Sequence, residues 1–149
     1  MRDPRTAQID GFTYRIGTLP PRRALRLGNR IVRAAGPGLV ALVASDSSSL
    51  GDLDISVLGE VLRTVFAQLT PDEQDAIMEE LFSAVQVEQN GRAAGVMAIF
   101  DAHFDGRLPA ALQLMWVAFR ENFSSLGLWV ARRATAELAA EARRPPGKE

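Results

Sequence analysis

The chain has 149 residues, of which 47% are hydrophobic and 23% charged, a composition typical of one globular domain with its own core. It contains no cysteine, which excludes disulfides, thiolate metal sites, iron–sulfur clusters and cysteine nucleophiles. The net charge is −1, but residues 1–33 carry eight Arg against two Asp, whereas residues 45–90 carry ten acidic residues against one Arg. We expect these regions to pair within the chain or between copies.

The N-terminal region predicts an extended segment followed by a basic helix. Residues 1–19 are expected to form an extended arm or a short strand at Phe12–Ile16. Pro21 suits the first turn of a helix that runs to about Ala35, with apolar residues on one side and arginines on the other. The arginines of this basic surface are Arg22, Arg23, Arg26, Arg30 and Arg33. Because the helix lacks aromatic residues and the chain has no nucleic-acid-binding motif, we interpret the surface as solvated or protein-facing.

The middle of the chain predicts further helices. The apolar run Leu39–Ala44 favours a short buried helix, although its periodicity also fits a strand. A helix with a well-formed apolar face opens at Leu53 or Asp54 and runs to about Gln68. The sequence Thr70-Pro71-Asp72-Glu73 then predicts a capping box, in which Thr and Glu satisfy free backbone donors at the start of another helix.

The C-terminal half predicts a small hairpin and a long apolar helix. Val85–Glu88 followed by Asn90-Gly91 indicates a strand and a turn. A helix is expected from about Leu108 to Phe123, and Leu126–Arg143 is helical by composition. Residues 144–149 are expected to be a flexible tail.

Together these elements predict a mainly α fold. We expect one helical domain over residues 1–143, with about five to six helices and, in addition, a short N-terminal strand or hairpin. The longest uncharged stretches, Ala34–Ser45 and Leu108–Phe119, are too short to cross a bilayer, and the N-terminus lacks the apolar run of a signal peptide. We therefore expect no membrane partner and no export.

One segment has residue types that could bind a metal. Asp101, His103 and Asp105 alternate, and imidazole and carboxylates suit several divalent ions. Because the rest of a ligand set is missing, we favour a structural interpretation: Asp105 or Asp101 caps the following helix, and an Asp pairs with Arg107. Phosphate-binding and hydrolase motifs are also missing from the sequence. The sequence thus predicts no cofactor, no metal, no catalytic residue and no enzymatic activity.

The same segment carries a resemblance to a known family. Phe100-Asp101-Ala102-His103-Phe104-Asp105-Gly106-Arg107-Leu108 precedes an apolar helix that contains the pair Asn122-Phe123. This arrangement resembles the tail assembly chaperones of tailed bacteriophages and related prophages, in which an "F-D-x-x-F-x-G-R" element precedes a helix that closes with "N-F". The resemblance covers residues 94–128 and extends loosely, by the order of the elements, to the whole chain.

The resemblance implies a small, mostly helical, non-enzymatic protein of the host cytosol. Such a protein coats the tape-measure protein, helps deliver tail-tube subunits and is absent from the mature virion. The alternative is a structural virion protein, such as a tail or head-completion subunit, and a homo-oligomer is compatible with both. The candidate partner-binding or motif residues are Phe100, Asp101, Phe104, Asp105, Gly106, Arg107, Trp116, Phe119, Asn122 and Phe123. The sequence leaves open whether the aromatic residues form a core or a groove.

Two further expectations concern the motif and the gene. We predict that Gly106 adopts a backbone conformation that side chains disfavour, and that Arg107 pairs with a nearby carboxylate. The resemblance also implies a longer form made by a −1 ribosomal frameshift, and codons for Pro146-Gly147-Lys148 can supply a slippery heptamer.

Overall fold

A computed structural model describes residues 3–35, 63 and 66–143 of the chain, with the backbone alone over residues 124–135. The described part contains two β-hairpins, four α-helices and one short 3₁₀ helix. In chain order the elements are β1 (Arg5–Ile9), β2 (Phe12–Ile16), α1 (Pro21–Ala35), α2 (Pro71–Phe82), β3 (Val85–Gln89), β4 (Arg92–Gly95), the 3₁₀ helix (Val96–Ile99), α3 (Phe100–His103) and α4 (Leu108–Ala142).

The four strands form one antiparallel sheet in the order β1-β2-β3-β4. Each hairpin turns at a residue pair with positive φ, namely Asp10-Gly11 at +52° and +81° and Asn90-Gly91 at +52° and +75°. Two-residue turns with positive φ at both positions match the twist of the flanking strands, and Asn, Asp and Gly tolerate that conformation best. The hairpins join through β2 and β3, with Tyr14 opposite Val87.

The sheet has one buried face and one polar face. Tyr14, Ile16, Val85 and Val87 point to the same side and are almost completely buried. On the other side, Arg15 Nε lies 2.7 Å from Glu88 Oε1 across the β2–β3 pair. This alternation is typical of an antiparallel sheet with one face packed on a core and the other in solvent.

The helices contribute apolar side chains to the core beside the buried face of the sheet. Helix α1 contributes Leu27 and Ile31, and α4 contributes Leu114 and Ala118. Phe123 of α4 packs so closely on α1 that a Cβ at Gly28 would lie 3.2 Å from the Phe123 ring. A larger residue at position 28 would therefore require the Phe123 ring to shift.

Helix α1 is also tied to α2 by charge. Arg23 Nε lies 2.6 Å from Glu80 Oε1, and Arg23 Nη2 donates to Glu80 Oε2 at 3.0 Å. This bidentate pair confirms the expectation that the basic N-terminal region pairs with the acidic middle of the chain. The same hydrogen bonds lower the pKa of the Glu80 carboxyl.

The prediction of a mainly α fold is wrong, because the chain folds as helices and a four-stranded antiparallel sheet, a mixed α/β fold. The two hairpins are each local and are marked by their turns. Their union through β2 and β3 pairs residues that are 69 to 75 positions apart in the chain, and no local pattern predicts such a pairing. Each hairpin alone would be marginally stable, whereas four strands with an apolar face support one another.

Several local predictions are confirmed. The strand Phe12–Ile16, the helix Pro21–Ala35 and the hairpin at Asn90-Gly91 all form as expected. The two predicted C-terminal helices are one continuous helix of 35 residues. Among the described residues, no helix is both long and apolar enough to span a membrane.

Other predictions fall mainly outside the described residues. These are the helix over Leu39–Ala44, most of the helix that ends near Gln68, and the tail at 144–149.

The capping box at the start of α2 is present as predicted. Thr70 Oγ1 accepts from the Glu73 backbone N–H at 3.3 Å, and Glu73 Oε2 accepts from the Thr70 N–H at 3.1 Å. Thr70→Ala should lower the free energy of unfolding by about 1 kcal/mol, because it leaves a helix donor without its partner. Asp75→Ala, on the exposed side of the same helix, is the control and should have little effect. Urea denaturation measures both, and equal stability of Thr70→Ala and wild type would contradict the prediction.

Candidate functional site

The segment Phe100–Arg107 forms a tight turn between the sheet and α4. Helix α3 provides a single turn, after which the Phe104 N–H donates to the Phe100 carbonyl at 3.0 Å and the Arg107 N–H to the Phe104 carbonyl at 2.8 Å. Gly106 has a φ of +68°, which confirms the predicted conformation. The turn leads directly into α4, which begins at Leu108.

Phe104 and His103 anchor the turn in the core. Phe104 is buried and stacks on Tyr14 with ring centroids 6.4 Å apart, and it also contacts Phe100 at 4.9 Å. The ring of His103 stands edge-on to Phe12 at 4.7 Å. These aromatic contacts join α3 to β2.

Both ring nitrogens of His103 have partners. Gln89 Nε2 lies 3.2 Å from Nδ1, and Tyr14 Oη lies 2.7 Å from Nε2. A neutral imidazole has one donor and one acceptor nitrogen, so it can satisfy both contacts at once. Burial, followed by the positive charge of Arg107, lowers the pKa of His103, so the ring is neutral at pH 7. Burial likewise raises the pKa of Tyr14.

The alternating residues Asp101, His103 and Asp105 have different environments. Asp101 and Asp105 are exposed, whereas His103 is buried and engaged by its two partners. Within the described ranges no group of three His, Asp or Glu side chains is arranged to hold a metal ion. The prediction that Asp101 or Asp105 caps α4 is wrong. The N-cap residue of α4 is Arg107, and the helix start has no side-chain capping hydrogen bond.

Arg107 connects the turn to the β1–β2 hairpin. Its Nε donates to Asp10 Oδ2 at 2.7 Å, its Nη1 donates to the His103 carbonyl at 3.0 Å, and its guanidinium lies 4.3 Å from the centre of the Phe12 ring. The predicted pairing of Arg107 with a carboxylate is confirmed. Its partner lies 97 residues earlier in the chain, so no local sequence pattern predicts this pairing.

The second part of the motif, Asn122-Phe123, lies further along α4 and connects this helix to α1 and to the segment before it. Asn122 Oδ1 accepts from the Leu19 N–H at 2.8 Å, and its Nδ2 donates to the Ala118 carbonyl at 2.9 Å. Phe123 packs on Gly28 and on Phe119. Trp116 is buried and stacks on the half-buried Phe119 at 5.9 Å. Asn122 and Phe123 therefore join α4 to the N-terminal part of the chain, and Phe119 packs against the core.

Phe100 and Asp101 also face a groove. It has a volume of about 440 Å³ and lies between α2 and the 3₁₀ helix with α3. Its apolar side chains are half-buried (Met78, Met97, Ile99 and Phe100), and its exposed carboxylates are Asp75, Glu79 and Asp101. We call it the acidic groove. None of its lining residues is basic, and sequence analysis missed Met78 and Met97 because only the fold brings them together.

The basic surface lies on α1. Arg22, Arg26, Arg30 and Arg33 are exposed, while Arg23 binds Glu80. Leu25 and Val32 interrupt this surface with exposed fractions of 59% and 39%.

One comparison with known proteins identifies the family. A sequence profile described as "Phage tail assembly chaperone protein, TAC" matches residues 10–126. The chain belongs to the phage tail assembly chaperone family. The match begins at Asp10 and includes Arg107, Asn122 and Phe123, so both ends of the contact between the hairpin and the turn lie within it. No curated protein and no solved structure matches the chain significantly.

The chaperone motif yields a stability prediction at Gly106. A Cβ at this position would meet no atom within 4 Å, so Gly106→Ala changes only the backbone energy. A residue with a side chain pays for the left-handed conformation, and we expect a loss of about 1 kcal/mol. Gly95 also has open space but a φ of −61°, so Gly95→Ala is a matched control that should be close to neutral. Equal effects in urea denaturation would contradict the conformational argument.

A second prediction concerns pH and His103. In the unfolded chain this residue titrates near pH 6.5, and its pKa in the folded protein is lower. As the pH falls below about 6.5, the unfolded state takes up a proton that the folded state does not, so stability falls. Wild type should therefore lose more stability between pH 7 and pH 5.5 than His103→Gln, in denaturation curves at each pH. Parallel losses would show that His103 does not titrate as its burial requires.

Proposed function

We propose that this chaperone binds the tape-measure protein and helps recruit tail-tube subunits during tail assembly. The observation that carries the proposal is the family match over residues 10–126. A tape-measure protein is a long helical chain whose apolar stripes need cover before the tube surrounds them. A chaperone that covers them needs exposed apolar surface and reversible contacts.

This proposal is supported by the contrast between motif residues that are bonded within the fold and other residues that form exposed surfaces. Three of the motif side chains bind residues elsewhere in the fold: Arg107 binds Asp10, Phe104 stacks on Tyr14, and Asn122 accepts from the Leu19 backbone. Two of the surfaces that face outward are the acidic groove and the basic surface of α1. We propose that the motif builds the scaffold and that protein partners bind to surfaces such as these.

The proposed function involves no catalytic reaction. Both ring nitrogens of the buried His103 are hydrogen-bonded within the fold, whereas Asp101 and Asp105 are exposed. We propose that the protein acts without a cofactor, in the host cytosol, and leaves before the virion is complete.

Affinity purification and particle analysis together test the proposed function. The tagged full chain is purified from lysates in which tails are assembling, and purified particles from the same lysate are analysed by quantitative mass spectrometry. We expect capture of the tape-measure and tail-tube proteins and absence of the chain from particles. An unrelated protein with the same tag and similar net charge is the control. Stoichiometric presence in particles would instead indicate a structural subunit, and capture of neither tail protein would contradict the proposal.

A further inference from the structure

The acidic groove presents carboxylates on both of its walls. Asp75 and Glu79 lie one helical turn apart on α2, and Asp101 lies on α3. In the described part of the chain none of these three carboxylates forms an ion pair, and no basic residue lines the groove. A ligand in the groove therefore meets negative charge from either wall.

The groove also offers apolar side chains between these carboxylates. Phe100 is half-buried, and its ring contacts Phe82 and Phe104 of the core with centroids 5.6 Å and 4.9 Å apart. Met78 and Met97 line the groove as well, and unbranched Met side chains adapt to ligands of different shape. An aromatic ring fixed by the core together with two adaptable side chains suits a set of related apolar sequences.

These features define the chemistry of the ligand. Its apolar side chains must cover Phe100 and the two methionines, while cationic side chains must face the carboxylates of both walls. An amphipathic helix meets these conditions when apolar residues recur every three or four positions and Lys or Arg flanks them on both sides. Nucleic acids and anionic lipids are disfavoured, because they have the same sign of charge as the groove.

The basic helix α1 of the same molecule does not meet the groove. Arg23 binds Glu80 and so holds α1 against one side of α2. Asp75 and Glu79 line the groove on another side of α2. The basic helix that the groove accepts must therefore come from another molecule.

We infer that the acidic groove binds helical segments of the tape-measure protein in which an apolar stripe has basic residues on both flanks. This inference rests on the proposed function, and it adds the site and the kind of segment that the chaperone selects. A groove that accepts related sequences suits a partner that is long and helical. Charge on both walls then distinguishes segments with basic flanks from segments with acidic ones.

Binding of designed peptides to the full-length protein tests the chemistry of the groove. The probe is a labelled synthetic peptide of about five helical turns, with a Leu stripe and Lys on both flanks. The control peptide has the same Leu stripe with Glu in place of every Lys. In fluorescence anisotropy the Lys peptide should bind about tenfold more tightly, and this preference should shrink as salt rises. Equal binding of the two peptides would overturn the inference.

Charge reversal in the groove should reverse this preference. Towards Asp75→Lys/Glu79→Lys, the affinity of the Lys peptide should fall about tenfold or more, and that of the Glu peptide should rise. Asp3→Lys/Glu141→Lys changes the net charge equally at exposed positions outside the groove and should bind both peptides like wild type. All four positions are exposed, so both variants should keep the wild-type circular dichroism spectrum. The same response in both double variants would show that net charge alone decides binding and would overturn the inference.

Crosslinking tests which molecule occupies the groove. The chain contains no cysteine, so Ala102→Cys attaches one photocrosslinker in the groove, and Ala139→Cys attaches one at an exposed position near the end of α4. The labelled full-length proteins are added to a lysate in which tails are assembling. We expect Ala102→Cys, and not Ala139→Cys, to crosslink to tape-measure segments with an apolar stripe and basic flanks, as identified by mass spectrometry. Crosslinks from the groove to acidic segments, to a second copy of the chain or to another protein would overturn the inference.

Capture by tagged variants separates this inference from the proposed function. Asp75→Lys/Glu79→Lys should capture about tenfold less tape-measure protein than wild type from the same lysate. If both capture it equally well, the proposed function stands and the groove is not its site. If wild type captures none, the proposed function fails, and the occupant assigned to the groove fails with it even where the Lys peptide binds.

Discussion

Arg107 holds together parts of the chain that are distant in sequence. Its guanidinium binds the Asp10 carboxylate in the β1–β2 turn, lies over the Phe12 ring and donates to the His103 carbonyl of its own turn. The first hairpin is thereby fixed to the start of α4. Because α4 then crosses the core and meets α1 at Phe123, the position of the basic helix also depends on this contact. The family's short motif can thus be understood as the joint between the sheet and the helices.

Local features of this fold could be predicted from sequence, whereas its long-range contacts could not. The capping box, the basic helix and the Asn90-Gly91 turn depend on residues within a few positions of one another, so each pattern carries its own structural meaning. The union of β2 with β3 and the pairing of Arg107 with Asp10 depend on which distant segments meet. The fold class was mispredicted because each hairpin gives only a weak strand signal by itself. The pairing that unites the two hairpins into one sheet has no local signal.

At the candidate site, too, local features can be predicted and long-range contacts cannot. The sequence singles out the segment around His103, and the alternation of Asp and His is compatible with metal ligands as well as with structural roles. Burial decides between these uses, because His103 lies among Phe12, Tyr14 and Phe104 while both aspartates face solvent. The groove residues Met78 and Met97 come from a helix and a 3₁₀ turn on either side of a hairpin. Their proximity is a property of the fold.

We infer that the motif acts through the contact between Arg107 and Asp10. A double-mutant cycle with Asp10→Asn and Arg107→Gln measures this contact directly, because Asn tolerates the positive φ of position 10 and the cycle isolates the pair. We expect that, in urea denaturation, the double variant loses clearly less stability than the sum of the two single variants. Additive losses would show that the two side chains act independently and would contradict the role assigned to the motif.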